Sequence, residues 1–470
     1  MLVVSSDFVP IKESPASGSG LRAWYIAKTL REMGRDVVLV LPTRIASKTP
    51  GITHADSREK LDLCEKCGHV LPSLKEDDVE IIVWDEHRYK KLLSLIEPEA
   101  IVTVQRPAGY WMTVAGTELP ILMDLHGPSL FEASFHVKYS TPYDASLLPY
   151  LHREKITLMG RGDRFTCAGY RQRYYFLGLL AALGRINDRN IESQMVQVVP
   201  FAAPSKKPVH DKQVLKGIVV GKSDFVILWS GAFLPWNDIL TPAVAMKEVV
   251  KRIPNAHLVY VGGPHPSGSI PPGPQLEKLE EFVSKSGLQN NIHLLGWKPH
   301  KEIHNYYMEA DIGVCTYPTH LETELAFRTR ILDFLWSGVP TITTELDELS
   351  STLMTEAGCA ITVPPSNESV LADEIVRLLL DDKERNRISA NGVRLIESRL
   401  TWERVIGPIN DFCANPEIDK SNPYRLSYKP DQILAYSNPG VKSLVKQYVT
   451  AARREGVMHA TQNAVKWVFR

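Results

Sequence analysis

MLVVSSDFVPIKESPASGSGLRAWYIAKTLREMGRDVVLVL, residues 1–41, decides the fold. Met1 to Ser5 form a short apolar run, and a Gly/Ser/Pro-rich loop (KESPASGSG) follows it. A helical pattern then spans Leu21 to Met33, ended by Gly34. VVLVL, Val37 to Leu41, is apolar without a break, as a strand covered on both faces must be. Strand, loop, helix and strand in this order make one unit of a parallel sheet. EIIVW, AIVTV and PILMDL continue the strands with helical stretches between them, which predicts a doubly wound α/β sheet.

After a polar, Lys/Pro-bearing stretch (Pro204 to Gln213) the same pattern begins again. DFVILWSG, a helix from Pro242 to Arg252, AHLVYVGG, NIHLLGW, IGVCTY, TITT and AITVPP alternate with helical patterns to about Asp382. A chain of 470 residues exceeds the ~250–300 residues at which single cores stop growing. The reading is therefore two Rossmann-like doubly wound domains, residues 1–205 and 206–395. A C-terminal helical extension, 396–470, is expected to pack back on the first. The loop VGGPHPSGSIPPGP follows a buried strand, where such sheets place ligand-binding turns.

Lys plus Arg and Asp plus Glu balance at 54 each, so no global field attracts nucleic acid or anionic lipid. The N-terminus carries no targeting pattern and no run approaches the ~20 apolar residues of a membrane span, which predicts a cytoplasmic protein. Cys167, Cys315 and Cys359 lie in or beside apolar runs, as reduced buried thiols do. Cys64, Cys67 and His69 have the spacing of half a zinc site but lack a second pair, so a plain loop is expected and no metal. Between Val441 and Arg470 stand six Lys/Arg and one Glu. A basic helix there could touch the inner face of a membrane, or dock on the protein.

Three stretches could carry chemistry. Gly18-Ser19-Gly20-Leu21-Arg22-Ala23 fits the dinucleotide fingerprint formally, but about a dozen residues separate it from the first strand and the second strand ends VLVLPTR without an acid for the ribose. A nicotinamide site is excluded. What remains is a helix N-terminus with the cation Arg22 beside it, suited to an anionic ligand. Asp124-Leu125-His126-Gly127 ends a buried strand, placing His126 at the cleft to meet a sugar hydroxyl or developing charge. The third stretch runs from His320 through Glu322, Glu324, Arg328 and Arg330 to Asp333 at the mouth of a helix. Arg suits a diphosphate because its planar fork binds two oxygens at once, and a carboxylate such as Asp333 accepts hydrogen bonds from paired ribose hydroxyls.

These residues together resemble glycosyltransferase family 4, of the GT-B fold. An acidic residue followed after four positions by Gly338-Val339-Pro340 is similar to the family's donor motif. The opening strand with its Gly loop, DLHG, VILWSG, AHLVYVGG, NIHLLGWKPHKEIHNYYMEADIGV and AITVPPSNESVLADEIVRLLLDD follow in the family's order up to about Cys413. The resemblance implies a metal-independent hexosyltransferase without cofactor, moving a sugar from a nucleotide-sugar donor to a hydroxyl of a glycan or lipid-linked acceptor, with retention. It implies Gly20 near the donor phosphates, His126 near the transferred sugar and Asp333 on the ribose; Gly231, Gly263, Arg328 and Arg330 are further candidates for donor contacts, and Glu322 or Glu324 for a contact with the sugar.

Two departures stand out. The family's two Glu are separated by seven residues, whereas counting back from Asp333 reaches Leu325, with Glu322 and Glu324 only nearby. The family's Arg and Lys after the first strand of the second domain are absent from Gly231-Ala232-Phe233-Leu234-Pro235-Trp236-Asn237-Asp238. Arg328 and Arg330 are expected to supply that charge instead. The departures also leave open a sugar-nucleotide binding subunit without catalysis, and the fold leaves open an epimerase or a phosphorylase.

Overall fold

The computed structural model describes residues 1–11, 14, 16–46, 61–63, 70–139, 147–266 and 272–422. The Cys64, Cys67 and His69 group and the basic tail beyond Tyr424 lie outside them. No helix among the described residues is long and apolar enough to cross a membrane.

The first sheet contains β1 (Leu2–Val4), β2 (Val38–Pro42), β3 (Leu61–Leu63), β4 (Val70–Glu76), β5 (Val79–Trp84), β6 (Ile101–Val104), β7 (Ile121–Asp124), β8 (Arg164–Cys167) and β9 (Val196–Val198). Their order is β3-β4-β5-β2-β1-β6-β7-β8-β9. From β5 to β9 the neighbours in this order are parallel, and only β4 runs against the rest, pairing antiparallel with β5 and with the edge strand β3. The unbroken apolar runs serve two cores at once. Alternate residues Val3, Leu39, Leu41 and Val102 enter one cluster, and Leu2, Val4, Val38, Val40 and Ile101 enter the other, as the two-residue period of a strand requires.

The second sheet is wholly parallel: β10 (Phe225–Ala232), β11 (Ala256–Gly263), β12 (Ile292–Leu294), β13 (Ile312–Cys315), β14 (Thr341–Thr344) and β15 (Ala360–Val363), ordered β12-β11-β10-β13-β14-β15. The α/β class with two doubly wound sheets, expected from the sequence, is the architecture found. In each sheet the chain reverses direction beside its first strand, between β1 and β6 and between β10 and β13. Open α/β sheets bind ligands outside the carboxyl ends of the strands at such reversals. Here the two reversals face each other.

Two expected boundaries shift. The first helix spans Gly18–Glu32, not Leu21 to Met33, because Ser17 caps it, its hydroxyl accepting from the Gly20 N–H at 3.1 Å. The glycines thus form its first turn. The expected break at residue 395 falls inside the helix Asp382–Arg399. Beyond it Trp402 N donates to Ala203 O at 3.1 Å, and the helices Trp402–Val405 and Gly407–Ala414 join the core of the first lobe. Trp402 stacks on Tyr25 with ring centroids 5.9 Å apart.

Candidate active site

The cleft between the lobes holds about 1480 Å³ of space, open in part to solvent. From the first lobe it is lined by Ser17, Gly18, Ser19, His126 and Glu132, and from the second by Gly231, Trp297, Arg328, Arg330 and Asp333. A Cβ added to Gly18 would lie 3.8 Å from Thr329 Oγ1, so the starts of helices Gly18–Glu32 and Thr329–Trp336 face each other. Free N–H groups at helix starts attract anions.

In the first lobe Asp124 ends β7 and organises one wall. Arg22 binds it twice, Nε to Oδ2 at 2.6 Å and Nη2 to Oδ1 at 2.7 Å, and Thr166 Oγ1 donates to it at 2.6 Å. Burial works against the Asp124 charge, but Arg22 and the hydrogen bond from His126 outweigh it and hold the carboxyl well below the usual carboxylate range. Since Asp124 stays ionised, the His126 Nδ1 2.7 Å away must carry the proton. Burial lowers the imidazole further than Asp124 raises it. A neutral ring results, whose Nε2 is an acceptor, taking a hydrogen bond from the Ser19 hydroxyl at 3.2 Å. Arg22 is itself fully buried, which corrects its expected place beside the ligand: its fork is consumed by Asp124 and by the Val199 and Pro200 carbonyls.

In the second lobe the charges divide. Glu322 and Arg328 form a buried bidentate pair, Nη1–Oε1 3.1 Å and Nη2–Oε2 2.8 Å, with the guanidinium 4.1 Å over the Tyr317 ring. Both line the cleft, but each neutralises the other, so Arg328 is not the free cation expected. Arg330 is. Its guanidinium lies 4.4 Å over Trp229 at the end of β10, no carboxylate comes within ion-pair distance among the described residues, and Nη1 is buried without a hydrogen-bond partner. Asp333, one turn on along the same helix, also faces the cleft; burial pushes its carboxyl up to about 7 against the pull of Arg330.

The glycines sort by packing. Gly231 lines the cleft with φ +113°. Gly262, with φ +134°, has its Cβ direction blocked 1.9 Å away by the Gly231 carbonyl. It, and not Gly263 as expected, borders the cleft; Gly263 faces the Trp297 ring instead. Gly20 is likewise displaced from its expected role. Its Cβ direction points at the Phe8 carbonyl, 1.6 Å away, so it lets the helix pack, while Gly18 and Ser19 face the cleft. Glu324 is exposed and outside the lining. Two positions along a helix turn a side chain by about 200°, so Glu322 and Glu324 point to opposite sides.

Sequence reasoning missed Glu132, Trp297 and the contacts joining the lobes. An acidic residue in a helix's first turn is ordinary, so nothing in HGPSLFE set Glu132 apart. Glu348 of the second lobe accepts the Tyr170 and Arg171 N–H groups at 2.9 and 2.8 Å, at the start of the helix Tyr170–Ala182. Gln172 Nε2 donates to the Leu325 carbonyl at 2.8 Å, and Arg171 reaches the Leu346 carbonyl and Ser351. These bonds hold the lobes at a defined separation beside the cleft.

Residues 224–381 match the family described as Glycosyl transferases group 1. The chain is 23% identical over 231 residues to the lipopolysaccharide 1,2-N-acetylglucosaminetransferase of Salmonella typhimurium, covering 48% of this chain and 58% of that relative's length. Its fold is similar to that of sucrose-phosphate synthase from Thermosynechococcus elongatus, with TM-score 0.59 at 16% identity over 87% of this chain and 97% of that one. It is similar also to HepE of Anabaena in complex with UDP-glucose, with TM-score 0.57 at 14% identity over 88% and 97%. The fold is thus that of the GT-B glycosyltransferases.

Proposed function

We propose that this protein is a glycosyltransferase of the hexosyltransferase type, which moves a sugar from a nucleotide-sugar donor to a hydroxyl of a glycan or lipid-linked acceptor. One observation carries the reading: Arg330, an uncompensated guanidinium, and Asp333, a carboxylate one turn away, share a helix that opens on the interlobe cleft. Arg330 binds the diphosphate and Asp333 the ribose hydroxyls. The start of helix Gly18–Glu32 faces the phosphates from the other lobe. His126 Nε2, held as an acceptor by Asp124, takes a hydroxyl of the sugar being transferred.

As the bond from the anomeric carbon to the diphosphate breaks, negative charge gathers on the leaving oxygen. Arg330 and the helix N–H groups are already aimed there, and such fixed donors act strongly in a site of low dielectric. The cation serving the diphosphate in this reading is a guanidinium, which supports transfer without a metal ion. Transfer with retention is favoured by the resemblance to retaining GT-B enzymes. The uridine nucleotide of the HepE complex and the N-acetylglucosamine named for the Salmonella relative make UDP-glucose and UDP-N-acetylglucosamine the first donors to test. The basic tail brings the protein to the inner face of a membrane where a lipid-linked acceptor resides; deletion from Lys442 then abolishes liposome binding, and unchanged partitioning contradicts it.

A thermal-shift panel of nucleoside diphosphates and their sugars, with and without chelator, tests the reading. A ligand at one hundred times its dissociation constant adds about 2.7 kcal/mol, and proton NMR of the product reads the anomeric configuration. No stabilisation by any nucleotide would overturn it.

A further inference from the structure

Glu132 has no part in the scheme above, yet it lines the cleft on the first-lobe side. It stands in the first turn of the helix Ser129–Tyr139, and its Oε1 lies 3.3 Å from where a Gly127 Cβ would be. The carboxyl is therefore folded back onto the turn that carries His126. Other carboxylates of the lining have company. Asp7 takes the Phe8 N–H at 2.9 Å and stands 3.8 Å from His265, Glu322 takes Arg328, and Asp333 is assigned to the ribose above. Among the described residues Glu132 receives no hydrogen bond and no ion pair. A half-buried carboxylate that meets no protein donor keeps its accepting capacity open to the cleft, and a ligand bearing hydroxyls would fill it.

The next turn of the same helix packs on Trp236, which itself lines the cleft. Phe135 lies 4.9 Å from the His320 ring and 5.9 Å from Trp236, and His136 stacks on Trp236 at 6.1 Å. Aromatic faces offer apolar contact to the C–H side of a sugar ring, while a carboxylate takes its hydroxyls.

Resting on the glycosyltransferase reading, we propose that Glu132 is the acceptor-binding carboxylate: it takes hydrogen bonds from hydroxyls of an incoming neutral sugar, with Trp236 bordering the ring. With Glu322 neutralised by Arg328, the Glu132 carboxylate repels phosphate- or carboxylate-bearing groups at this position, so the sugar unit bound there is uncharged. Burial and the Glu322 charge push the Glu132 carboxyl up to about 7, while Arg328 from the second lobe, Lys155 and Arg106 from the helices behind it pull it down. Tyr175 feels its charge in turn. Its ionised, fully accepting form thus gains population as pH rises through neutrality.

The test uses UDP-glucose and UDP-N-acetylglucosamine as donors and p-nitrophenyl gluco-, galacto- and mannosides as acceptors, comparing the full chain with Glu132→Gln and Glu132→Asp. Glu132→Gln should raise the acceptor KM about 10- to 100-fold, the loss of a hydrogen bond to a charged group, while UDP affinity stays within about twofold. Wild-type acceptor KM should fall as pH rises from 6 to 8, and Glu132→Gln should flatten that profile. The proposal is overturned by an unchanged KM in the variant, by an equal loss of UDP affinity, by a flat wild-type profile, or by donor binding without transfer to any of these glycosides. A chain that binds no nucleotide sugar at all refutes the parent reading instead. Should Glu132→Gln melt early, Glu132→Asp decides: a raised acceptor KM with UDP affinity unchanged supports the proposal, and an unchanged KM overturns it.

Discussion

Gly231 makes room for Arg330. A Cβ at position 231 would lie 2.6 Å from Arg330 Nη2, and the φ of +113° there is one that side chains rarely tolerate. The end of β10 is bare so that a guanidinium can lie across it. Gly231→Ala should therefore push Arg330 aside, with backbone strain of about 1–3 kcal/mol. Calorimetry is expected to show UDP affinity lowered by about tenfold or more, in a protein that melts somewhat earlier but still cooperatively.

Arg328 and Arg330 should respond differently to the same substitution. Arg328→Met strands Glu322 as a buried unpaired charge, an error that costs about 3–5 kcal/mol, so its main effect is on the melting temperature. Glu322→Leu combined with Arg328→Met should recover most of that loss. A singly substituted Arg328→Met protein with wild-type stability would contradict the pairing.

Asp333 should make both binding and stability depend on pH. Its carboxyl, raised by burial to about 7, binds its proton more tightly in the fold than in the unfolded chain, whose Asp titrates near about 3.9. The contribution of Asp333 to stability is thus fully present below about pH 4 and lost as pH rises through about 7. Asp333→Asn should accordingly gain in melting temperature relative to wild type across that window. UDP affinity in wild type should rise toward pH 7.5 as the ribose-accepting carboxylate forms, and the variant should bind weakly with little pH dependence.

Lys155 shows the opposite sign. It is fully buried, its Nζ has no hydrogen-bond partner, and it lies 4.8 Å over the Phe176 ring. Burial, with Arg106, lowers the amine to about 7, so between about 7 and the unfolded value near about 10.4 the unfolded chain binds more protons and stability rises with pH. Lys155→Met should stabilise the protein most at or below neutral pH, and the advantage should shrink toward pH 10. A constant difference across pH would contradict it.

The sheets were legible because continuous apolar runs such as VVLVL and VILWSG have few alternatives to a strand buried on both faces. Val3 and Val4 face different cores, as that pattern demands. The site was legible only in outline. His126, Arg330 and Asp333 line the cleft as expected because strand ends and helix starts of this fold point at it. Whether a charge is spent or free was hidden: Arg22 meets Asp124 across 102 residues, and Arg328 meets Glu322 only because a turn folds between them. Glu132 looked like any helix-start acid, and Gly20 like a ligand loop until the Phe8 carbonyl beside it was known.

The central claim is that Arg330 binds the diphosphate of a nucleotide ligand. Titration calorimetry of UDP into wild type and Arg330→Met tests it directly. We expect the dissociation constant to rise by about 10- to 150-fold, the loss of charge-assisted hydrogen bonds worth about 1.5–3 kcal/mol, with the melting temperature of the free protein nearly unchanged. Equal UDP affinity in the two proteins would contradict the account.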